Sequence, residues 1–123
     1  MTLDTAYFKQ GDTQTDLKVV LTDNNGVVDI STGVSSIKFT MTEQGTGTVI
    51  LSLQSCVINT ESGTLPNGLS YTRTVSYQWQ TNDVATIGKY YGEWLVTFTN
   101  NKTRKFPTGI PPYKNIEIQA DLN

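Results

Sequence analysis

The chain has 123 residues, a net charge of −2 and only 16% charged residues, and uncharged polar residues are abundant, among them 20 threonines. It contains no histidine and a single cysteine, Cys56, which excludes imidazole catalysis, an intrachain disulfide and a zinc site built from Cys and His. Nine basic against eleven acidic side chains do not indicate a nucleic-acid surface, and the apolar runs are too short for a membrane-spanning helix.

The first half of the chain alternates apolar and polar residues with a period of two, which is typical of half-buried strands. Leu17 to Leu21 and Ile37 to Met41 are predicted strands of this kind. Between them, Asp23-Asn24-Asn25-Gly26 predicts a hairpin turn, because Asn and Gly tolerate positive φ. Val49 to Ile58 is rich in β-branched residues, and we expect one strand there, or two strands with a bend near Cys56.

The second half begins with a predicted loop over residues 59–68, which contains Gly, Pro and Asn. A long alternation over residues 71–79 predicts a strand. A connection follows it, and residues 83–86 either form one helical turn there or belong to an irregular loop. Residues 90–98 carry the strongest inward-facing alternation. The remaining predicted elements are a hairpin partner (102–106), a stiff linker (107–112) and a closing strand (116–122).

These elements amount to about eight short strands at regular spacing. No stretch shows the apolar spacing of an amphipathic helix, and no repeat or low-complexity linker divides the chain. We therefore predict an all-β fold, an antiparallel β-sandwich that forms a single domain over residues 1–123.

Acidic residues suggest three chemical sites, each with a structural alternative. Asp23 to Asp29 offers oxygen ligands for calcium, but its spacing departs from the EF-hand pattern and favours a hairpin turn. Asp12 in Gly11-Asp12-Thr13 is interpreted as an Asx-type cap of the backbone. A hydrolase would require Asp83 and Glu93 to face one cleft. We predict no metal, no cofactor and no catalytic residue.

Other residues support either binding or packing. Six aromatic residues could form a sugar-stacking platform, although the alternation places most of them in the core, with Tyr91 as an exception: Tyr71, Tyr77, Trp79, Tyr90, Tyr91 and Trp94. Cys56 has no cation beside it in the sequence and is interpreted as a small buried hydrophobic residue. The basic cluster Lys102, Arg104 and Lys105 favours protection of an exposed strand edge, with a salt bridge to a neighbouring subunit as the alternative.

Two blocks of residues carry a resemblance to a known family. The first comprises Phe8-Lys9-Gln10-Gly11-Asp12-Thr13, Leu17, Leu21-Thr22-Asp23 with Gly26, Val28-Asp29-Ile30-Ser31 and Ile37-Lys38-Phe39-Thr40-Met41. The second comprises Tyr77-Gln78-Trp79-Gln80, Asp83, Gly88-Lys89-Tyr90, Glu93-Trp94-Leu95-Val96-Thr97-Phe98, Phe106-Pro107 and Ile116. In order and spacing, these blocks resemble the N-terminal domain of the phage baseplate upper protein family over most of the chain, residues 42–70 excepted.

The resemblance implies an immunoglobulin-like β-sandwich and a structural role in a tailed-phage virion, as a component of the tail, baseplate or neck. It carries over no catalytic residue. The expected partners are copies of this chain and other phage structural proteins, with synthesis in the host cytoplasm and no contact with nucleic acid or membrane. The alternative function is a carbohydrate-binding or capsid-decorating sandwich that contacts glycans of the host surface.

Candidate contact residues follow from the alternation and from one apolar loop. Tyr91 and Leu95 are predicted on the outward side of their strand. The loop residues Ile110, Pro111, Pro112 and Tyr113 are apolar in an otherwise polar chain. An exposed apolar loop favours contact with a partner, and the alternative is that it covers one end of the sandwich.

Overall fold

The computed structural model describes residues 5–23, 25–107 and 114–120. This part of the chain is all-β and contains no helix. Its strands are β1 (Ala6–Lys9), β2 (Leu17–Val19), β3 (Thr22–Asp23), β4 (Gly26–Val27), β5 (Val34–Glu43), β6 (Val49–Ser55), β7 (Val57–Thr64), β8 (Ser70–Tyr77), β9 (Gly88–Phe98), β10 (Thr103–Phe106) and β11 (Lys114–Gln119). The predicted all-β sandwich is confirmed, with eleven strands in the described residues instead of about eight.

The larger sheet is organised around β9. Its order is β1-β11-β9-β5-β6. One side of β9 pairs with β5 along most of its length, whereas the other side pairs first with β11 and then with β10. Strands β1 and β11 run parallel, a departure from the predicted antiparallel pairing. A parallel pair needs a long crossover connection, and these two strands lie at opposite ends of the chain.

The smaller sheet has the order β2-β8-β7, and β3 and β4 form a separate hairpin. The predicted turn at Asp23–Gly26 is therefore confirmed. The predicted bend at Cys56 is also confirmed, because β6 belongs to the larger sheet and β7 to the smaller one. At the bend, the Cys56 N–H donates to the Ile37 carbonyl (3.0 Å). The chain thus passes directly from an edge of one sheet to an edge of the other.

The predicted loop over residues 59–68 is wrong for its first half, because β7 continues to Thr64 and pairs with β8. These residues are polar, and their side chains are bonded to the neighbouring strand. The Asn59 amide donates to Thr74 Oγ1 (3.2 Å) and to Ser76 Oγ (2.7 Å), and Thr74 Oγ1 donates to Glu61 (3.1 Å). Such bonds let a polar segment form a strand without an apolar face.

The connection before β9 contains turns and no helix. The Asp83 N–H donates to the Gln80 carbonyl (3.0 Å), and the Ala85 N–H donates to the Asn82 carbonyl (3.2 Å). The helical alternative for residues 83–86 is therefore wrong, because these isolated turn bonds do not continue into a helix.

The core lies against the inward side of β9 and β5. Trp94 and Phe39 face each other across these strands with ring centroids 5.0 Å apart, and Tyr77 of the smaller sheet lies 5.2 Å from Phe39. Gly92 makes this contact possible, since a Cβ there would meet Phe39 and Ile116 at 2.9 Å. Aromatic packing of this kind joins the two sheets.

Candidate functional site

Exposed apolar side chains are concentrated along one edge of the molecule, residues Val49–Ile58, here termed the β6–β7 ribbon. It carries five of the exposed large hydrophobic residues, with exposed fractions between 37% and 54%: Val49, Ile50, Leu53, Val57 and Ile58. Among the described strands, β6 ends the larger sheet and β7 ends the smaller one. The ribbon therefore combines two open strand edges with five exposed apolar side chains, and exposed apolar clusters often mark contact sites.

The backbone of the ribbon is irregular. Two residues of β6, Ser52 and Leu53, lie opposite the single residue Thr40 of β5, and a second irregularity follows at Ile50. Leu53 has a φ of +50° and donates its N–H to Thr40 Oγ1 (3.2 Å). A left-handed conformation costs a residue with a Cβ roughly 1–2 kcal/mol. The fold thus holds an apolar side chain at the surface in a strained backbone position, which is a common property of functional sites.

The ribbon has no charge of its own. Residues 44–60 contain no Asp, Glu, Lys or Arg, and this is the longest uncharged stretch in the sequence. Three charged residues beside the ribbon have partners within the chain: Lys38 donates to Ser55 (2.8 Å), Glu61 is paired with Lys18 (3.0 Å) and Glu43 accepts from Thr46 Oγ1 (3.3 Å). The residue patterns considered above did not point to this surface. The uncharged stretch was the available signal, but only the topology shows that both strands are edges.

A cleft of about 620 Å³ is the second candidate site. Residues of β2, the β7–β8 hairpin, β9 and β10 line it, and they include Lys18, Glu61, Asn67 and Tyr71. The Lys18 ammonium donates to Glu61 and holds the pKa of this carboxyl below its usual value. The cleft therefore offers an aromatic ring, an amide and a paired carboxylate, which are groups suited to a neutral polar ligand.

Of the predicted contact residues, Tyr91 and Leu95 lie on the outward side of β9 and are half-buried. Tyr91 lies between Thr42 of β5 and Asn115 of β11. Leu95 lies between Lys38 and Lys105 on the flanking strands. Both residues are therefore central in the larger sheet, away from its edges. The other predicted contacts, Ile110, Pro111, Pro112 and Tyr113, lie outside the described residues.

The predicted aromatic platform is mostly core. Tyr77, Trp79, Tyr90 and Trp94 are buried, each with at most 4% exposed. Only Tyr71, which is half-buried, combines an accessible position with a place in the cleft. Packing, the favoured interpretation for most of this set, is confirmed for the four buried residues.

The acidic turns bind their own backbone. Asp12 accepts from the Gln14 N–H (3.0 Å), Asp23 from the Asn25 N–H (2.8 Å) and Asp29 from the Ser31 N–H (2.9 Å). The Asx-type cap at Asp12 and the hairpin turn at Asp23 are confirmed. Hydrogen bonds keep the pKa of all three carboxyls below the usual value, led by bonds from side chains of Thr15, Arg104 and Ser31. Among the described residues, no cluster of three metal-ligating side chains occurs.

The two carboxylates of the hydrolase alternative occupy different surroundings. Asp83 accepts from the Tyr77 hydroxyl (2.6 Å) and the Gln80 N–H (2.7 Å) in a turn. Glu93 lies opposite Thr40 on the outward side of β9. Neither residue lines the 620 Å³ cleft. This arrangement offers no support for a shared catalytic cleft.

The side chains of Cys56 and Arg104 interact with neighbouring residues of the same chain. Burial raises the pKa of the Cys56 thiol to about 12, which keeps the sulfur protonated near neutral pH. Arg104 forms an ion pair with Asp23 (3.0 Å) and lies 4.7 Å from the centre of the Phe106 ring. The charge of Arg104 is thus engaged within this chain, on a strand that forms the predicted hairpin with β9.

Comparison of the chain with protein-family models, with characterised proteins and with solved structures gave no match. In the part of the chain that the structure describes, no helix has the length and apolar character needed to cross a membrane. The interpretation of the two candidate sites therefore depends on their own residues.

Proposed function

We propose that this chain is a structural protein of a tailed-phage virion, a component of the tail, baseplate or neck that acts by multi-copy protein–protein assembly. The observation that carries the proposal is the β6–β7 ribbon, an uncharged strand edge with five exposed apolar side chains. Apolar surface of this extent is favourable to bury, and a protein partner can bury it. The partners proposed are copies of this chain and other phage structural proteins.

The resemblance of the two residue blocks to the phage baseplate upper protein family supports the viral part of the proposal. The chemistry of the described side chains supports assembly over catalysis. The carboxylates Asp12, Asp23 and Asp29 serve as acceptors in turns, and the thiol of Cys56 stays protonated near neutral pH. The proposal assigns no catalytic step to the chain, and it keeps Tyr91, Leu95 and residues 110–113 as additional candidate contacts.

The test is incorporation into particles. Particles are produced with wild-type chain, with Val57→Lys and with Ile87→Lys, and the chain is quantified in gradient-purified virions by mass spectrometry. Val57 and Ile87 are similarly exposed, at 48% and 52%, but only Val57 belongs to the ribbon. We expect wild type and Ile87→Lys at the same fixed stoichiometry, and Val57→Lys at a clearly lower one.

Absence of the wild-type chain from purified virions would contradict the structural role. Equal incorporation of all three chains would remove the ribbon as its basis. Alanine replacement of Ile110 and Tyr113 tests the predicted loop contact in the same assay, since undiminished incorporation would eliminate that loop.

A second candidate function, binding of a host-surface glycan, is favoured by the cleft. Its lining includes Tyr71, Glu61, Lys18 and Asn67, and sugars are bound by aromatic faces together with polar groups. Calorimetric titration with oligosaccharides selected on a glycan array tests it. Tyr71→Ala should abolish binding, and Tyr7→Ala, a change at a tyrosine that is 60% exposed and lies outside the cleft, should leave it intact.

A further inference from the structure

The edge strands of the six-stranded and the three-stranded sheet differ in the charges that they carry. Three other edge strands carry lysine: β1 has Lys9, β2 has Lys18 and β10 has Lys105. Lysine on an edge opposes pairing with another chain, since its charge would have to lose water. Strand β6 has no charged residue, and β7 has none before Glu61. Among the edges of the six-stranded and the three-stranded sheet, the β6–β7 ribbon is thus the one that lacks this protection.

A surface that binds an identical copy must avoid like charges more strictly than a surface that binds a different protein. In a two-fold dimer the same patch faces itself, so that a charge near the axis meets an identical charge. Residues 44–60 avoid this repulsion entirely, because they contain no ionisable side chain other than the thiol of Cys56. Lys38, Glu61 and Glu43, which lie beside the ribbon, are bonded within the chain to Ser55, Lys18 and Thr46 respectively.

The irregular backbone indicates how a second copy would make contact. The irregularities at Ile50 and at Ser52–Leu53 interrupt the regular ladder of β6, so a long added strand does not fit. They also hold the side chains of Ile50 and Leu53 at the surface, where they are 42% and 52% exposed. Contact through side chains therefore suits the ribbon better than a continuous intermolecular sheet.

We propose that the β6–β7 ribbon binds the same ribbon of a second copy of this chain, antiparallel about a two-fold axis near Leu53. Leu53 lies near the middle of the ribbon, so that antiparallel alignment of Val49–Ile58 with its copy places each Leu53 close to the other. This inference rests on the proposed function, because it identifies one of the contacts by which the assembly forms.

Sedimentation of the purified full-length chain over a concentration series, up to about 1 mM, tests the inference. We expect the wild-type mass to rise from the 13.6 kDa of the monomer to twice that value and to stop there. Leu53→Lys should raise the dissociation constant at least about tenfold, because two ammonium groups would meet near the axis. Ile87→Lys is the matched control, since Ile87 and Leu53 are each 52% exposed, and it should dimerise like wild type.

Val57→Lys is a second ribbon variant, needed in case Leu53→Lys, which changes a residue in a strained backbone position, fails to fold. Val57 is 48% exposed and has no positive φ, so the substitution should not disturb the fold. It should also weaken the dimer while it keeps the wild-type far-ultraviolet circular dichroism. Wild type that stays monomeric at every concentration would overturn the inference. So would two ribbon variants that dimerise like wild type, an equal loss in Ile87→Lys, or a wild-type series of species larger than a dimer.

The inference and the proposed function fail in different experiments. A purified chain that dimerises through the ribbon but is absent from virions supports the inference and contradicts the virion role. A chain that is present in virions but monomeric when purified overturns the inference and leaves the virion role supported.

Discussion

Two edge strands of the larger sheet, β6 and β10, differ in the side chains that they carry beside their unpaired backbone groups. Both strands leave one side without a partner among the described residues. Strand β10 carries cations, and one of them, Arg104, is held by Asp23 and by the Phe106 ring. Strand β6 carries no charge and exposes Val49, Ile50 and Leu53.

This difference shows that the side chains of an edge strand can either oppose or favour pairing with another chain. A charged edge resists pairing, because its cations would have to be desolvated. An uncharged apolar edge favours association, and its irregular backbone limits the forms that association takes. On this comparison, β10 stabilises the monomer, and β6 is the edge that we propose for assembly.

The largest change in the free energy of unfolding is expected from the difference in burial between a β10 side chain and a ribbon side chain. Phe106 of β10 is completely buried, and Val57 of the ribbon is 48% exposed. Phe106→Ala should lower the free energy of unfolding by about 3–5 kcal/mol, because it leaves a cavity in the core. Val57→Ala should lower it by less than about 0.5 kcal/mol. Urea denaturation of the monomer measures both, and equal losses would show that the ribbon belongs to the core.

A smaller effect is expected at the strained residue of the ribbon. Leu53→Gly should make the monomer about 0.5–1 kcal/mol more stable than Leu53→Ala, because glycine tolerates the positive φ and alanine does not. Both variants lose the apolar side chain and should weaken self-association equally. Urea midpoints and sedimentation give the two results. A glycine variant less stable than the alanine variant would contradict the assignment of strain.

The smallest effect is expected at the ion pair of β10. Arg104→Met should lower the free energy of unfolding by about 0.5–1 kcal/mol at low salt and by less at high salt, since the pair is partly exposed. Urea titrations at two salt concentrations measure this loss. Lys105→Met is the control, because Lys105 forms no salt bridge with a described residue, and an equal loss there would contradict the pairing of Arg104.

The stability difference between wild type and Arg104→Met depends on pH in a definite direction. The hydrogen bond from Arg104 keeps the pKa of Asp23 below 3.8 in the folded chain. The stabilisation is therefore complete above pH values near 3.8 and disappears as the pH falls through the lowered pKa. The stability difference between wild type and Arg104→Met should shrink in acid, leaving the contact with the Phe106 ring, and a difference that is the same at neutral and acid pH would exclude Asp23 as the partner.

The sequence predicted those features that depend on local pattern. The alternation over residues 90–98 correctly identified the inward side of β9, because a period of two separates the two faces of a strand. The turn at Asp23–Gly26 was predicted from residue types that tolerate positive φ, whereas two strands with a bend near Cys56 were only one of two alternatives for residues 49–58.

The polar first half of the 59–68 segment shows where local pattern is insufficient. Its composition indicates a loop, yet β7 continues to Thr64 because Asn59 and Glu61 bind side chains of β8. Such a strand is stabilised by partners on another segment, which its own residues do not reveal. The candidate site was missed for the same reason, since exposure of Val57 and Ile58 depends on the absence of a neighbouring described strand beyond β7.

By itself the sequence determined the all-β character, the inward side of β9 and the absence of imidazole chemistry, because these follow from residue types and their period. Only the tertiary structure decided which strands are edges, that β1 pairs with β11 from the far end of the chain, and that the longest uncharged stretch lies on an open side. The reason is that strand order is set by hydrogen bonds between distant segments, whereas alternation specifies which face of a strand is apolar but not which strand lies beside it.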